Sequence, residues 1–330
     1  MFFGDGGGHF VDGGGTVPGL IFTAAGADFF HITTTNIRIQ DSTVGDGDQV
    51  TTSVSYQLGT NPEQLTLVGS AVAGTGNSID NSILGHAGAN ALTGLAGNDT
   101  LSGASGADLL GGTGNALLCG GDENDILNGG TLNDILWGDD GDDVLRGMTG
   151  NDALTGGIDD DTLFGGAGNG ALTGGDGDDM LYGGAGADTL QCGLGADTFV
   201  FAKGDTGKNI ATRDTIATFF TGVDRPDLSR LDANTTNANP NDANPNDACT
   251  YLNTGAFTNL AVQLHVTGTG TFLVLEGVTN GNGFADFQIG INGLAALAFG
   301  DIILCRSPDV AVVFAARHPH ISCDPIGVQT

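Results

Sequence analysis

The stretch GGDGDDMLYGGAGADTLQCG, residues 174–193, gives seven of its twenty positions to glycine and four to aspartate, and it carries no lysine, arginine or glutamate. Read outward from it, one frame of nine residues runs from Gly85 to Val200. Its units are GHAGANALT, GLAGNDTLS, GASGADLL, GGTGNALLC, GGDENDILN, GGTLNDILW, GDDGDDVLR, GMTGNDALT, GGIDDDTLF, GGAGNGALT, GGDGDDMLY, GGAGADTLQ and CGLGADTFV. In this frame the third unit is one residue short. The eighth place of every unit is apolar, Phe199 in the last and leucine in the others.

Each place of this GGxGxDxUx pattern has a physical reading. Glycine at the first, second and fourth places permits left-handed backbone, so GGxGxD is expected to turn tightly and aim carbonyl oxygens inward. The sixth-place aspartate adds a charged oxygen at the same spot. Calcium, with about 6 to 8 oxygen ligands in flexible geometry, suits such a nest better than magnesium or zinc. The last three residues, xUx, predict one brief strand with its central side chain facing in. A disordered acidic surface would not need an apolar eighth residue in every unit.

The pattern resembles the calcium-binding repeat of RTX, or haemolysin-type, proteins. That resemblance implies an all-β fold, a parallel β-roll in which two units make a coil of about eighteen residues and units two apart stack. On that stacking one edge carries Asp108, Asp125, Asp143, Asp161, Asp179 and Asp197 without a break. The other reads Asp99, Ala116, Asp134, Asp152, Gly170 and Asp188, so the edges are expected to be unequal. These ten aspartates are the candidate ligands for several Ca²⁺ ions. The opening unit has Asn90 in that place and is not counted among the sites.

Composition agrees with a cation-binding chain. Of 330 residues 59 are glycine, and 39 acids against 9 bases give a formal charge of −30. Only Glu63, Glu123 and Glu276 are glutamates, so 36 of the acids are aspartate, the acid of turns and not of helices. This charge argues against nucleic acid and anionic membranes as partners. An EF-hand loop needs Glu at its twelfth position, and counting back eleven from the three glutamates lands on Thr52, Gly112 and His265. No run is long enough for a membrane-spanning helix, and MFFGDGGGHF lacks the features of an export signal. The five cysteines show no disulfide framework and no CxxC, although a Cys305–Cys323 bridge stays open.

The flanks extend the resemblance. TTSVSYQLGTNPEQLTLVGSAVAGTGNSIDNSILG, residues 51–85, looks like a strand-bearing lead-in. Downstream, GADTF, RDTI, FFTGVD and DLS, followed by LEGVTNGNGFADFQI and GDIIL, resemble the C-terminal region of serralysin-type peptidases. That resemblance implies a β-rich extension, further calcium, and a secretion signal read by a type I ABC exporter, hence an extracellular protein. Departures are Pro226, expected to interrupt a central strand, Val278 and Asn282 in a loop where the family has carboxylates, the doubled ANPND of residues 238–247, and a tail beyond residue 304. The expected organisation is an irregular segment over 1–50, a β lead-in and cap over 51–84, the roll over 85–200, the extension and secretion region over 201–304, and an atypical tail over 305–330.

Catalytic motifs are missing. None of His9, His31, His86, His265, His318 and His320 begins an HExxH, and GxSxG and the phosphate loop are absent. His318, His320 and Cys323 are read as solvated residues of the tail. The reading is a secreted calcium-binding module that folds on Ca²⁺ after type I export and is non-catalytic by itself. The alternative is part of a secreted RTX enzyme (metalloprotease, lipase or alginate epimerase) with activity in residues 1–84.

Overall fold

The computed structural model describes residues 2–3, 10–12, 19–23, 26–35, 37–202, 204–207, 211–230, 250–251, 263–269, 272–278, 287–293 and 301–302. Among them there is no α-helix. The chain winds as a parallel β-solenoid whose coils alternate between two long sheets. One has sixteen strands and the other ten, and a three-stranded sheet lies at the N-terminal side.

The register follows the two-unit stacking expected from the repeat. In the larger sheet Leu101 pairs with Leu118, Leu118 with Leu136, Leu136 with Leu154 and Leu154 with Leu172. In the other, Leu110, Leu127, Leu145, Leu163, Leu181 and Phe199 stack in the same way. These eighth-place side chains are 0–1% exposed, and together they are the core between the sheets. Position nine faces outward, and on the smaller sheet Phe164 stacks on Tyr182 with ring centroids 4.6 Å apart. Arg146 lies over the first ring and Arg230 over the second.

Strands are longer than the three residues expected. Most in the centre of the array span six, as in Ile135–Asp140 and Ala153–Ile158. The inward alternation of position eight continues to the first glycine of the next unit, which has no side chain to betray it in the sequence. The register also relocates the missing residue. Gly111 pairs with Asn128 and so completes the third unit at its ninth place, and Gly112 lies against Gly130, a second-place residue. The fourth unit therefore lacks its first place.

The expected boundaries at 84/85 and 200/201 do not coincide with breaks in the ladder. Upstream, Val50 pairs with Leu65 and Leu65 with Ile83, in register with Leu101. Downstream, Leu190 pairs with Ile216 and Ile216 with Ile291. Parallel winding then gives way to antiparallel pairing of Gln263–Thr269, Phe272–Val278 and Phe287–Asn292. Pro226 does not interrupt a central strand: among the described residues Arg225–Arg230 is the terminal strand of the smaller sheet, where a missing backbone donor is tolerated. The Asn282 loop, the doubled ANPND, Cys305, Cys323 and the 305–330 tail lie outside the described residues.

Candidate metal centre

The turns that join the sheets owe their shape to two places. Most second- and fourth-place residues have positive φ, as at Gly157 (φ 140°) and Gly177 (φ 149°). φ stays positive where the glycine is lost, at Met148 (74°) and Leu132 (72°). First-place glycines are not left-handed. They are required because a Cβ at Gly138 would lie 2.1 Å from Asp143 Oδ2 and 2.6 Å from the Gly156 carbonyl oxygen, and the same holds at Gly103, Gly120 and Gly156.

That geometry places every sixth-place aspartate at the inner end of its turn, 0–3% exposed. One oxygen, Oδ1, accepts the backbone N–H of the sixth-place residue one coil earlier. On the first edge these bonds run unbroken: Asp108 N–H donates to Asp125 (2.7 Å), Asp125 to Asp143 (2.7 Å), Asp143 to Asp161 (2.9 Å), Asp161 to Asp179 (2.9 Å) and Asp179 to Asp197 (3.0 Å). On the other edge Asp134 donates to Asp152 at 2.9 Å, and the aspartate chain is interrupted at Ala116 and Gly170. An uninterrupted run of aspartates thus lies on the first edge alone.

The second oxygen behaves differently. Oδ2 of Asp108, Asp125, Asp143, Asp161 and Asp179 on one edge, and of Asp99, Asp134, Asp152, Asp188 and Asp214 on the other, is buried without a hydrogen-bond partner. Such groups cost free energy unless something pairs with them. The orphaned oxygens are therefore evenly divided between the edges. Ala116 stands in the unit that lacks its first-place glycine, so the carboxylate and the glycine it faces elsewhere are missing together.

Burial pushes these carboxyl groups up, and neighbouring carboxylates add to the effect. Asp125 is raised to about 7, with Asp143 and Asp108 contributing, and Asp161 to about 8, with Asp143 and Asp179 contributing. Asp108, Asp134, Asp143, Asp179 and Asp188 rise to about 6, chiefly by burial. Asp99 and Asp152 are raised for the same cause. The donors beside each Cβ-sized gap are carboxylate and carbonyl oxygens, a hard, all-oxygen set that fits calcium and not a soft metal.

Asp197 is the exception. Its Oδ2 accepts the Gly193 N–H at 3.3 Å, and its unit begins with Cys192, not glycine. The thiol lies 3.0 Å from Thr218 Oγ1 and forms a buried group with Asp197 and Asp224. Burial raises the Asp197 carboxyl to about 7.

Sequence reasoning missed two parts of this arrangement. The columns do not stop at residue 197: Asp188 N–H donates to Asp214 Oδ1 (2.9 Å) and Asp197 N–H to Asp224 Oδ1 (3.2 Å). Both aspartates stand in the RDTI and GVD motifs, but the spacing there is no longer eighteen. The second part is at position five. Asn133 N–H donates to Asn115 Oδ1, Asn151 to Asn133 and Asn169 to Asn151, at 2.7–3.0 Å, and Asp160 donates to Asp142 and Asp178 to Asp160 on the other edge. These exposed side chains reach toward the following coil, whereas the buried aspartates reach toward the preceding one. The recurrence of Asn or Asp at the fifth place was the available signal.

Comparison with known proteins adds the following. The family model described as Peptidase M10 serralysin C terminal matches residues 61–304. Among solved structures, the AlgE6R3 subunit of the Azotobacter vinelandii mannuronan C5-epimerase is 24% identical, with 62% of this chain and 93% of that chain covered and a TM-score of 0.23. No curated protein matches. Among the described residues no helix is long and apolar enough to cross a membrane.

Proposed function

The chain belongs to the peptidase M10 serralysin C-terminal family, and from that premise we propose that it is an extracellular calcium-binding module, non-catalytic by itself, that folds on Ca²⁺ after export through a type I exporter. One observation carries the reading: nine sixth-place carboxylates of the array, and Asp214 beyond it, each keep one buried oxygen without a partner. Asp99, Asp108, Asp125, Asp134, Asp143, Asp152, Asp161, Asp179 and Asp188 would hold the ions with the first-place carbonyls, and Asp214 extends the set. Asp197, whose two oxygens are already engaged, contributes to the ladder and is the weakest ligand of the column.

Calcium would supply positive charge between carboxylates that otherwise repel. The chain's own atoms do the rest: left-handed turns set the carbonyls, Oδ1 bonds fix the coil spacing, and the leucine column keeps water away. Without a cation, burying so many carboxylates disfavours the fold, so metal binding and folding are linked. In the calcium-poor cytosol the chain would stay unfolded and fit for export.

A circular dichroism titration with calcium and then EDTA, read with the number of ions bound, tests the reading. β-structure should appear with calcium and vanish with chelator, at several ions per chain. A spectrum unchanged by EDTA would sink it. Turnover of casein, lipid esters or alginate would overturn the non-catalytic part.

A further inference from the structure

Another group of buried carboxylates lies upstream of the nonapeptide array, outside the residues matched by the family. Asp28 immediately precedes the strand Phe29–Ile32, Asp48 precedes Gln49–Thr52, and Asp41 ends Ile37–Asp41. The first two strands belong to the sixteen-stranded sheet and the third to the three-stranded sheet. One oxygen from each carboxylate lies within 4.8 Å of the other two, and the residues are 1%, 0% and 3% exposed respectively.

Like charges this close repel, and a cluster of acids is not in itself a site. The pointer to a ligand is the pattern of satisfied and unsatisfied oxygens. Asp48 Oδ1 accepts the Asp28 N–H at 2.8 Å, and its own N–H donates to Glu63 Oε2 at 2.9 Å. Its Oδ2 is buried and has no hydrogen-bond partner. Asp46, beside it, repeats the pattern: Oδ2 accepts the Gly26 N–H at 2.8 Å and the Thr43 hydroxyl, while Oδ1 is buried and unpartnered.

We propose that Asp28, Asp41 and Asp48 form a calcium site that fastens the three-stranded sheet to the first coils of the solenoid. The donors are carboxylates alone, a hard oxygen set with neither nitrogen nor sulfur. The site differs from those of the array, where the aspartates other than Asp197 face the first-place glycine of their own unit; here Asp41 arrives from a different sheet. The inference rests on these atoms and not on calcium binding by the array.

Calcium bound to the full chain is counted by equilibrium dialysis in wild type, Asp48→Asn and Asp41→Asn, with circular dichroism to establish folding. Each variant should bind one ion fewer with the wild-type spectrum; a folded variant with the wild-type count overturns the site. A wild-type count of one that falls to zero in Asp48→Asn keeps this site and sinks the reading of the array, whereas a count of several left unchanged does the reverse. Should the variants not fold, terbium on the full chain gives the answer. Ile39, two residues before Asp41, donates its N–H to the Tyr56 hydroxyl at 3.3 Å, so Tyr56 sits close enough to sensitise the ion. Tyr56→Phe should lower emission excited through tyrosine, and unchanged emission overturns the site.

Discussion

At the scale of single residues, glycine has two unrelated duties in this repeat, and they predict opposite mutational signs. At Gly138 the constraint is space, because an added methyl would meet Asp143 Oδ2 and the Gly156 carbonyl. Gly138→Ala should cost about 2 kcal/mol in calcium by chemical denaturation, and it should weaken calcium binding as well, since the methyl enters the oxygen-lined gap. At Met148 the constraint is φ, 74° on an exposed side chain. Met148→Gly should relieve about 1 kcal/mol of left-handed strain, seen as a higher denaturation midpoint. If the two variants moved stability in the same direction, the division of roles would be mistaken.

Among elements, the strand ladder explains both what the sequence discloses and what it hides. Leu154, fully enclosed between Leu136 and Leu172, was legible as core from its eighth place alone. Leu154→Ala should cost about 3 kcal/mol, and Leu84→Ala, on an exposed site of Ser82–Leu84, far less. The aspartate columns were legible too, because side chains recur at fixed spacing. The second half of each six-residue strand was not, since its inward residue is a glycine that leaves no periodic mark. Nor were Asp214 and Asp224, which the downstream insertions displace from the eighteen-residue spacing. The carboxylates at Asp28, Asp41 and Asp48 escaped notice for another reason: their strands contain no glycine frame, and only tertiary pairing brings them together.

Taken whole, the molecule is a stack of coils whose charge is balanced by protons or by cations. The array carboxyls are raised in the fold, so the folded chain retains protons that the unfolded chain releases. Without calcium, their contribution to stability is complete below about pH 4 and is lost as pH rises through the values of about 6 to 8. In EDTA the chain should therefore show more β-structure at pH 5 than at pH 8 by far-ultraviolet circular dichroism. Calcium affinity should run the other way, rising over the same interval because the ligands must be deprotonated. A solenoid of parallel strands also has ends, and an open strand invites a second copy to continue the winding. On Arg225–Arg230, the terminal strand of the smaller sheet among the described residues, the Arg225 N–H is directed inward, to Asp197 O at 2.8 Å, so alternation turns the next residue toward the side where no described strand pairs. That residue is Pro226, which has no hydrogen to offer. A strand added on that side would find no donor at this position.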